Sequence, residues 1–201
     1  MRALTLALAV AATVAAMPAA AATFAFETTL SGPAEFPPNA SPGTGLAKLW
    51  FDEDAQLMTL DVTFSGLLGT TAAAHIHGPT TLPGEGNAGV MTTTPTFAGF
   101  PLGVTSGTYL STFDMTLASS YNPSFLNNAT NLGSTTTASA TLLSALKDGK
   151  AYLNIHTTQF PGGEIRGFLS LAPEPGTWAL MLLGFGLAGA ALRARRLAVV
   201  R

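Results

Sequence analysis

Between residues 23 and 171 apolar and polar side chains alternate in short runs, broken by clusters of Gly, Pro, Asn and Ser. Phe24, Phe26, Thr28 and Leu30 fall on one face of the first run. Met58, Leu60, Val62 and Phe64 fall on one face of a clearer run, with Thr59, Asp61 and Thr63 opposite. A period of two over runs this short is the signature of half-buried strands. Residues 46–51 and 57–64 are therefore expected to form a hairpin whose turn is the acidic, solvated Asp52-Glu53-Asp54-Ala55. Further strands are expected at 72–77, 90–97, 108–115, 151–157 and 164–171. About eight short antiparallel strands predict an all-β fold, a β-sandwich or a Greek-key barrel. One short helix interrupts the pattern: Ser139 can cap residues 140–147, which carry Leu142, Leu143 and Leu146 on one side, and Gly149 supplies the stop. It is expected to cross over against the sheet. Residues 119–137, rich in Ser, Thr and Asn, read as a long surface loop with a short turn at 123–127.

The two ends follow other rules. Arg2 precedes an uncharged stretch rich in Ala and Leu at 3–16, then Met17-Pro18, with Ala20 and Ala22 at the −3 and −1 positions of a cleavage site before Thr23. Residues 1–22 are expected to be a secretory signal peptide. At the other end Pro173, Glu174 and Pro175 precede an uncharged run at 177–192 and then Arg193, Arg195 and Arg196. That run is short for a membrane span, which takes about 20 residues, and the arginines would hold its far end in the cytoplasm. The triplet, short apolar helix and Arg cluster at 173–201 resemble the PEP-CTERM sorting signal. The resemblance implies an exosortase-type sorting enzyme as partner and transient anchoring in the inner membrane of a Gram-negative bacterium through a short transmembrane helix. Delivery to the cell envelope, outer surface or extracellular matrix would follow. An ordinary anchor that is never cut is the alternative.

Charge and composition narrow the function of the domain left between these ends, residues 23–172. It carries four Lys or Arg against ten Asp or Glu, a net charge of −6, whereas five of the nine basic residues of the chain lie in the terminal segments. Such a domain has no basic stripe with which to neutralise phosphates, which argues against nucleic acid as a partner. The chain has no cysteine. Disulfide frameworks, thiol nucleophiles and thiolate metal sites are excluded, so a metal would need His, Asp or Glu ligands.

All three histidines fall in two of the expected strands, as His75-Ile76-His77-Gly78 and in Tyr152-Leu153-Asn154-Ile155-His156-Thr157. Alternation puts His75 and His77 on one face with Ala74 and Ile76 toward the core. In the second strand it buries Leu153 and Ile155 and turns Tyr152, Asn154 and His156 outward. If the two strands are neighbours, His75, His77 and His156 converge into a site for Cu or Zn, both of which favour neutral imidazole. The alternative is that the histidines hydrogen-bond nearby loops and pin the strand ends. Glu164 and Arg166, two apart on a strand face, read as a solvated ion pair. The segment 84–89, GEGNAG, lacks the Lys and the following helix of a phosphate loop and reads as a flexible loop beside the histidine strand. No catalytic constellation emerges.

These residues also carry a family resemblance. Leu30-Ser31-Gly32 with the run 35–38, Thr44-Gly45, His75-Ile76-His77-Gly78, and above all YLNIHTTQFPGGEIRG at 152–167 resemble the CHRD domain, first described in chordin. The resemblance implies a non-enzymatic extracellular module that binds a protein or polysaccharide partner. A more distant resemblance is to copper-zinc superoxide dismutase, a β-sandwich with a His-x-His strand and a functional Arg late in the chain, here Arg166. Three histidines and no cysteine cannot supply its two-metal set. Two readings result. One is an exported CHRD-type binding or structural module without catalytic residues. The other is a mononuclear Cu or Zn protein using His75, His77 and His156, open to redox or superoxide dismutase-like chemistry.

Overall fold

The strictest alternation in the chain builds its longest ladder. In the computed structural model, which describes residues 23–172 together with 183–186, 188, 189 and 193, strands β1 (Thr23–Ser31), β2 (Thr44–Asp52) and β3 (Leu57–Ser65) form a continuous antiparallel meander. Phe26 and Leu30, Ala47, Leu49 and Phe51, and Met58, Leu60 and Val62 are buried on its inner face. The expected acidic turn joins β2 to β3: Asp52 Oδ1 accepts the amides of Asp54 and Ala55, an Asx turn that closes the hairpin.

Strands β4 (Thr71–His77), β5 (Gly107–Asp114), β6 (Tyr152–Thr157), β7 (Ile165–Phe168) and β8 (Ser170–Leu171) complete one sheet in the order β4-β6-β7-β1-β2-β3-β5, with β8 paired to β1. The architecture is a single, mostly antiparallel sheet curled into a half-barrel, within the all-β class that the alternation predicts. Helix α1 (Pro123–Leu126) is a single turn. Helix α2 (Thr135–Lys147) is the crossover that carries the chain from β5 at one edge to β6 near the other. Leu142 and Leu146 of α2, with Met115, Tyr121 and Phe125, join the core cluster.

Several expectations need correction. Residues 90–97 are not a strand. Pro95 has no N–H to offer a ladder, and the segment instead runs along the edge of β4, where Thr92 and Thr96 hydroxyls accept the amides of Ile76 and Ala74. This covering protects the β4 edge from pairing with another chain. The run at 164–171 divides at Leu169, which is fully buried and donates its amide to Ala151 O, so that the chain steps from β6 to β1. The helix begins five residues before the expected start: Ser134, not Ser139, is the cap, accepting the amide of Thr137. Ser139 instead lies buried on the inner side and donates to Gln56 Oε1. The stop is as expected. Gly149 takes φ 65° and donates to Leu146 O while Lys150 donates to Ala145 O, a Schellman closure. The loop at 119–137 is also more than surface, since Tyr121, Phe125, Leu126 and Asn131 are buried.

Residues 1–22 and the sorting residues Pro173, Glu174, Pro175, Arg195 and Arg196 lie outside the described residues. So does most of 177–192. The described positions 183–186, 188, 189 and 193 are helical and exposed. Among the described residues no helix is long and apolar enough to cross a membrane.

Glu164 is not a solvated surface charge. It is fully buried and accepts hydrogen bonds from Ser41 Oγ, Thr157 Oγ1 and the amides of Leu68 and Gly69. Burial pushes its carboxyl up, and these four donors outweigh burial and hold it below the usual carboxylate range. Glu164→Ala strands two amides, that of Gly69 buried, and two buried hydroxyls. The expected cost is about 3 kcal/mol or more, against under about 0.5 kcal/mol for Asp61→Asn on the outward face of β3. Urea denaturation of the two variants beside the wild type measures both.

Candidate metal centre

Register decides which side chains meet. Strand β6 lies between β4 and β7, with His75 opposite Asn154, His77 opposite Tyr152, and Ala73 opposite His156 on one side, and Asn154 opposite Arg166 on the other. Ala74, Ile76, Leu153 and Ile155 point into the core, as the alternation requires. The opposite face was expected to be outward. It is instead a second buried layer, in which Tyr152, Asn154, Arg166, His75 and His77 are each more than nine-tenths buried, and His156 is half-buried.

Three loops cover this layer. Arg166 donates from Nε to Ala34 O and from Nη1 to Gly86 O and Asn87 Oδ1, with its guanidinium over the rings of Tyr152 and Phe168. The 84–89 segment, read as flexible, is thus tied down by Arg166, by Asn87 donating to Phe36 O and by Gly84 donating to Gly149 O. Gly163, at φ 129°, lets the β6–β7 connection pass over Asn154, whose side chain a Cβ there would strike. Arg166 and Glu164 do not pair with each other: Arg166 faces Glu35 at 3.8 Å, and Glu164 belongs to the cluster at the end of β6.

Within this layer the three histidines come together, with one ligand nitrogen of each within 4.8 Å of the others. Backbone carbonyls set the tautomers, because a carbonyl can only accept. His77 Nδ1 lies 3.0 Å from Ala88 O and His156 Nδ1 lies 2.9 Å from Pro161 O, so both carry their proton on Nδ1 and present a bare Nε2. His75 Nε2 lies 2.7 Å from Pro95 O, so its proton is on Nε2 and its bare Nδ1 is buried with no hydrogen-bond partner. The two bare Nε2 atoms of His77 and His156 face each other at 3.4 Å. Tetrahedral imidazoles bound at 2.0–2.1 Å leave N···N edges of about 3.3–3.4 Å.

Burial keeps the three rings neutral. It pushes His77 down to about 4 against the help of the Ala88 carbonyl, with His156, His75 and Arg166 adding repulsion, and it lowers His75 and His156 as well. Neutral imidazole is the form that ligates, and a second nitrogen anchored on a backbone carbonyl is the usual outer support of a metal-bound histidine. Sequence alternation brought these three residues to one face. It gave no sign of the carbonyls of Ala88, Pro95 and Pro161, nor of the buried Glu35–Arg166 contact beside them.

Glu35 has its own chemistry. Burial raises its carboxyl to about 7, and Arg166, whose Nε and Nη1 donate to other groups, and Asn154 lower it only in part. Its Oε1 and Asn154 Oδ1 are both buried without partners. A carboxyl raised on folding binds more protons in the folded chain between its unfolded value near 4.5 and about 7. It therefore removes stability as pH rises through that window. Glu35→Gln should gain on the wild type by up to about 3 kcal/mol between pH 4.5 and pH 8. The difference in urea stability across that range isolates Glu35, because every other group titrates alike in both proteins. A constant difference would contradict the assignment.

Comparison with known proteins adds the family. The model of the PEP-CTERM protein-sorting motif matches residues 171–196, which marks an exported protein addressed to the cell envelope or surface of a Gram-negative bacterium through an exosortase-type sorting enzyme. No curated protein and no solved structure gives a significant match. The model of the CHRD domain matches residues 26–169, which takes in β1 from Phe26 onward, β2 to β7 and all three histidines, and the chain therefore belongs to the CHRD domain family.

Proposed function

We propose that this exported CHRD protein binds a single Cu or Zn ion through His75, His77 and His156 and carries it at the cell envelope. One observation supports the reading above the others: two histidine Nε2 atoms, each left bare because a carbonyl behind the ring holds its proton on Nδ1, face each other at 3.4 Å. Without a cation or proton between them, two lone pairs at that distance repel. A proton is disfavoured there by the same burial that lowers all three rings. The alternative of histidines that only pin loops accounts for the three carbonyl contacts but not for the bare nitrogens turned toward one another. Imidazole donors without thiolate fit Zn(II) and Cu(II) and give no preference between them.

Maturation completes the reading. The chain loses its signal peptide before Thr23 and, in a host with the sorting enzyme, is cut near Pro173-Glu174-Pro175. It thereby leaves the membrane with the domain at 23–172 intact. A binding role toward an envelope protein or polysaccharide would use the outward sheet face, where Trp50 and Leu110 are exposed, without engaging the histidines.

Native mass spectrometry of the chain exported from such a host tests both parts in one spectrum. The expected mass is that of a chain beginning near Thr23 and ending near the Pro-Glu-Pro triplet, with one Cu or Zn after equilibration with either metal. His77→Ala and His156→Ala should each lose the stoichiometric ion. A wild-type chain that takes up no metal overturns the metal reading. A dominant form that retains 193–201 overturns the processing.

A further inference from the structure

The three histidines stand at the wall of an open cavity of about 390 Å³, and the rest of its lining decides what completes the metal's coordination. Besides His75, His77 and His156 the cavity is bounded by Ala72, Ala73, Val90, Thr157, Thr158 and Pro161. None of these is a carboxylate or a thiol, so the lining holds no fourth side chain of the usual ligand types. The walls are mostly apolar, and the cavity reaches solvent past Ala72 and Thr158, both exposed.

The opening is made by backbone irregularity and side-chain size together. The β4–β6 register shifts between Thr71 and Ala73, so Ala72 is the extra residue of a β-bulge. A bulge turns side chains away from strict alternation, and here it leaves two alanines together at the mouth of the cavity. Ala73 lies directly opposite His156 and on the face of His75 and His77. A larger side chain at that position would fill the space above the histidines.

We infer that the ion held by the three histidines keeps one coordination position open to this cavity. It takes there a small exogenous ligand with a single donor atom and an otherwise compact, apolar body, of the heteroaromatic amine type. The inference rests on the metal reading above. Three protein nitrogens with an open fourth position are the arrangement of metal sites that exchange ligands, whereas purely structural sites are closed by four. Apolar walls with few polar groups favour a ligand whose remainder sheds water easily.

The test uses the exported protein loaded with one Cu(II), freed of excess metal, and titrated with imidazole while copper content is measured separately. Saturable change in the visible and electron paramagnetic resonance spectra at one imidazole per copper is the expected result. Ala73→Leu should retain one copper and bind imidazole at least tenfold more weakly. Ala72→Leu, at the exposed rim of the bulge, gives the same comparison where packing is least disturbed. Copper taken up with spectra unmoved by imidazole, or with both leucine variants binding imidazole as the wild type does, overturns this inference alone. Failure to take up copper or zinc overturns the metal reading and this inference with it.

Discussion

The buried carboxylate of Glu164 ties the half-barrel together at the end where the site is built. Its two oxygens collect Ser41 from before β2, Leu68 and Gly69 from the turn into β4, and Thr157 from the end of β6. An ionised carboxylate in so buried a place persists only because four donors replace the water it has lost. The consequence reaches the histidines. With Thr157 and Glu164 held to each other, the connection between β6 and β7 is clamped at both ends, and Pro161 within it presents the carbonyl that orients His156.

The layer over β4, β6 and β7 then works as a polar second core. Arg166 lies over the rings of Tyr152 and Phe168 and ties the 34–36 and 84–89 loops down, and these loops bring Glu35 over Arg166 and Ala88 O to His77. His77 stacks on Tyr152 at 5.0 Å between ring centroids, and the Tyr152 hydroxyl contacts Ala88 in turn. Every imidazole is thus held from behind by a carbonyl that belongs to a loop, while the strands hold the Cα positions. Strand register supplies the convergence of the rings and loop carbonyls supply their protonation state. Metal binding needs both.

Much of this was legible in the chain. The alternation over Met58, Leu60, Val62 and Phe64 located β3 and its buried face, and the same rule placed His75, His77 and His156 on one side of two strands. What escaped has physical causes. Residues 135–139 read as loop because Thr and Ser are weak helix formers, and tertiary contacts of α2 with the sheet override that preference. The threonines at 92–96 look like a strand, yet Pro95 and the use of hydroxyls as acceptors make them an edge cover instead. Glu164 and Arg166 looked like partners because they are two apart, and loops distant in sequence claimed each separately. Backbone carbonyls carry no signature of residue type, so the groups that set the histidine tautomers could be found only in three dimensions.

The central claim is that three loop carbonyls hold the clustered imidazoles as neutral tautomers, with the bare Nε2 atoms of His77 and His156 turned toward each other. Long-range nitrogen–proton correlation spectra of the metal-free protein, with its histidines labelled with nitrogen-15 and observed at neutral pH, test it directly. The account predicts His77 and His156 as Nδ1–H tautomers and His75 as the Nε2–H tautomer, each neutral. An imidazolium among the three, or His77 or His156 protonated on Nε2, would contradict it.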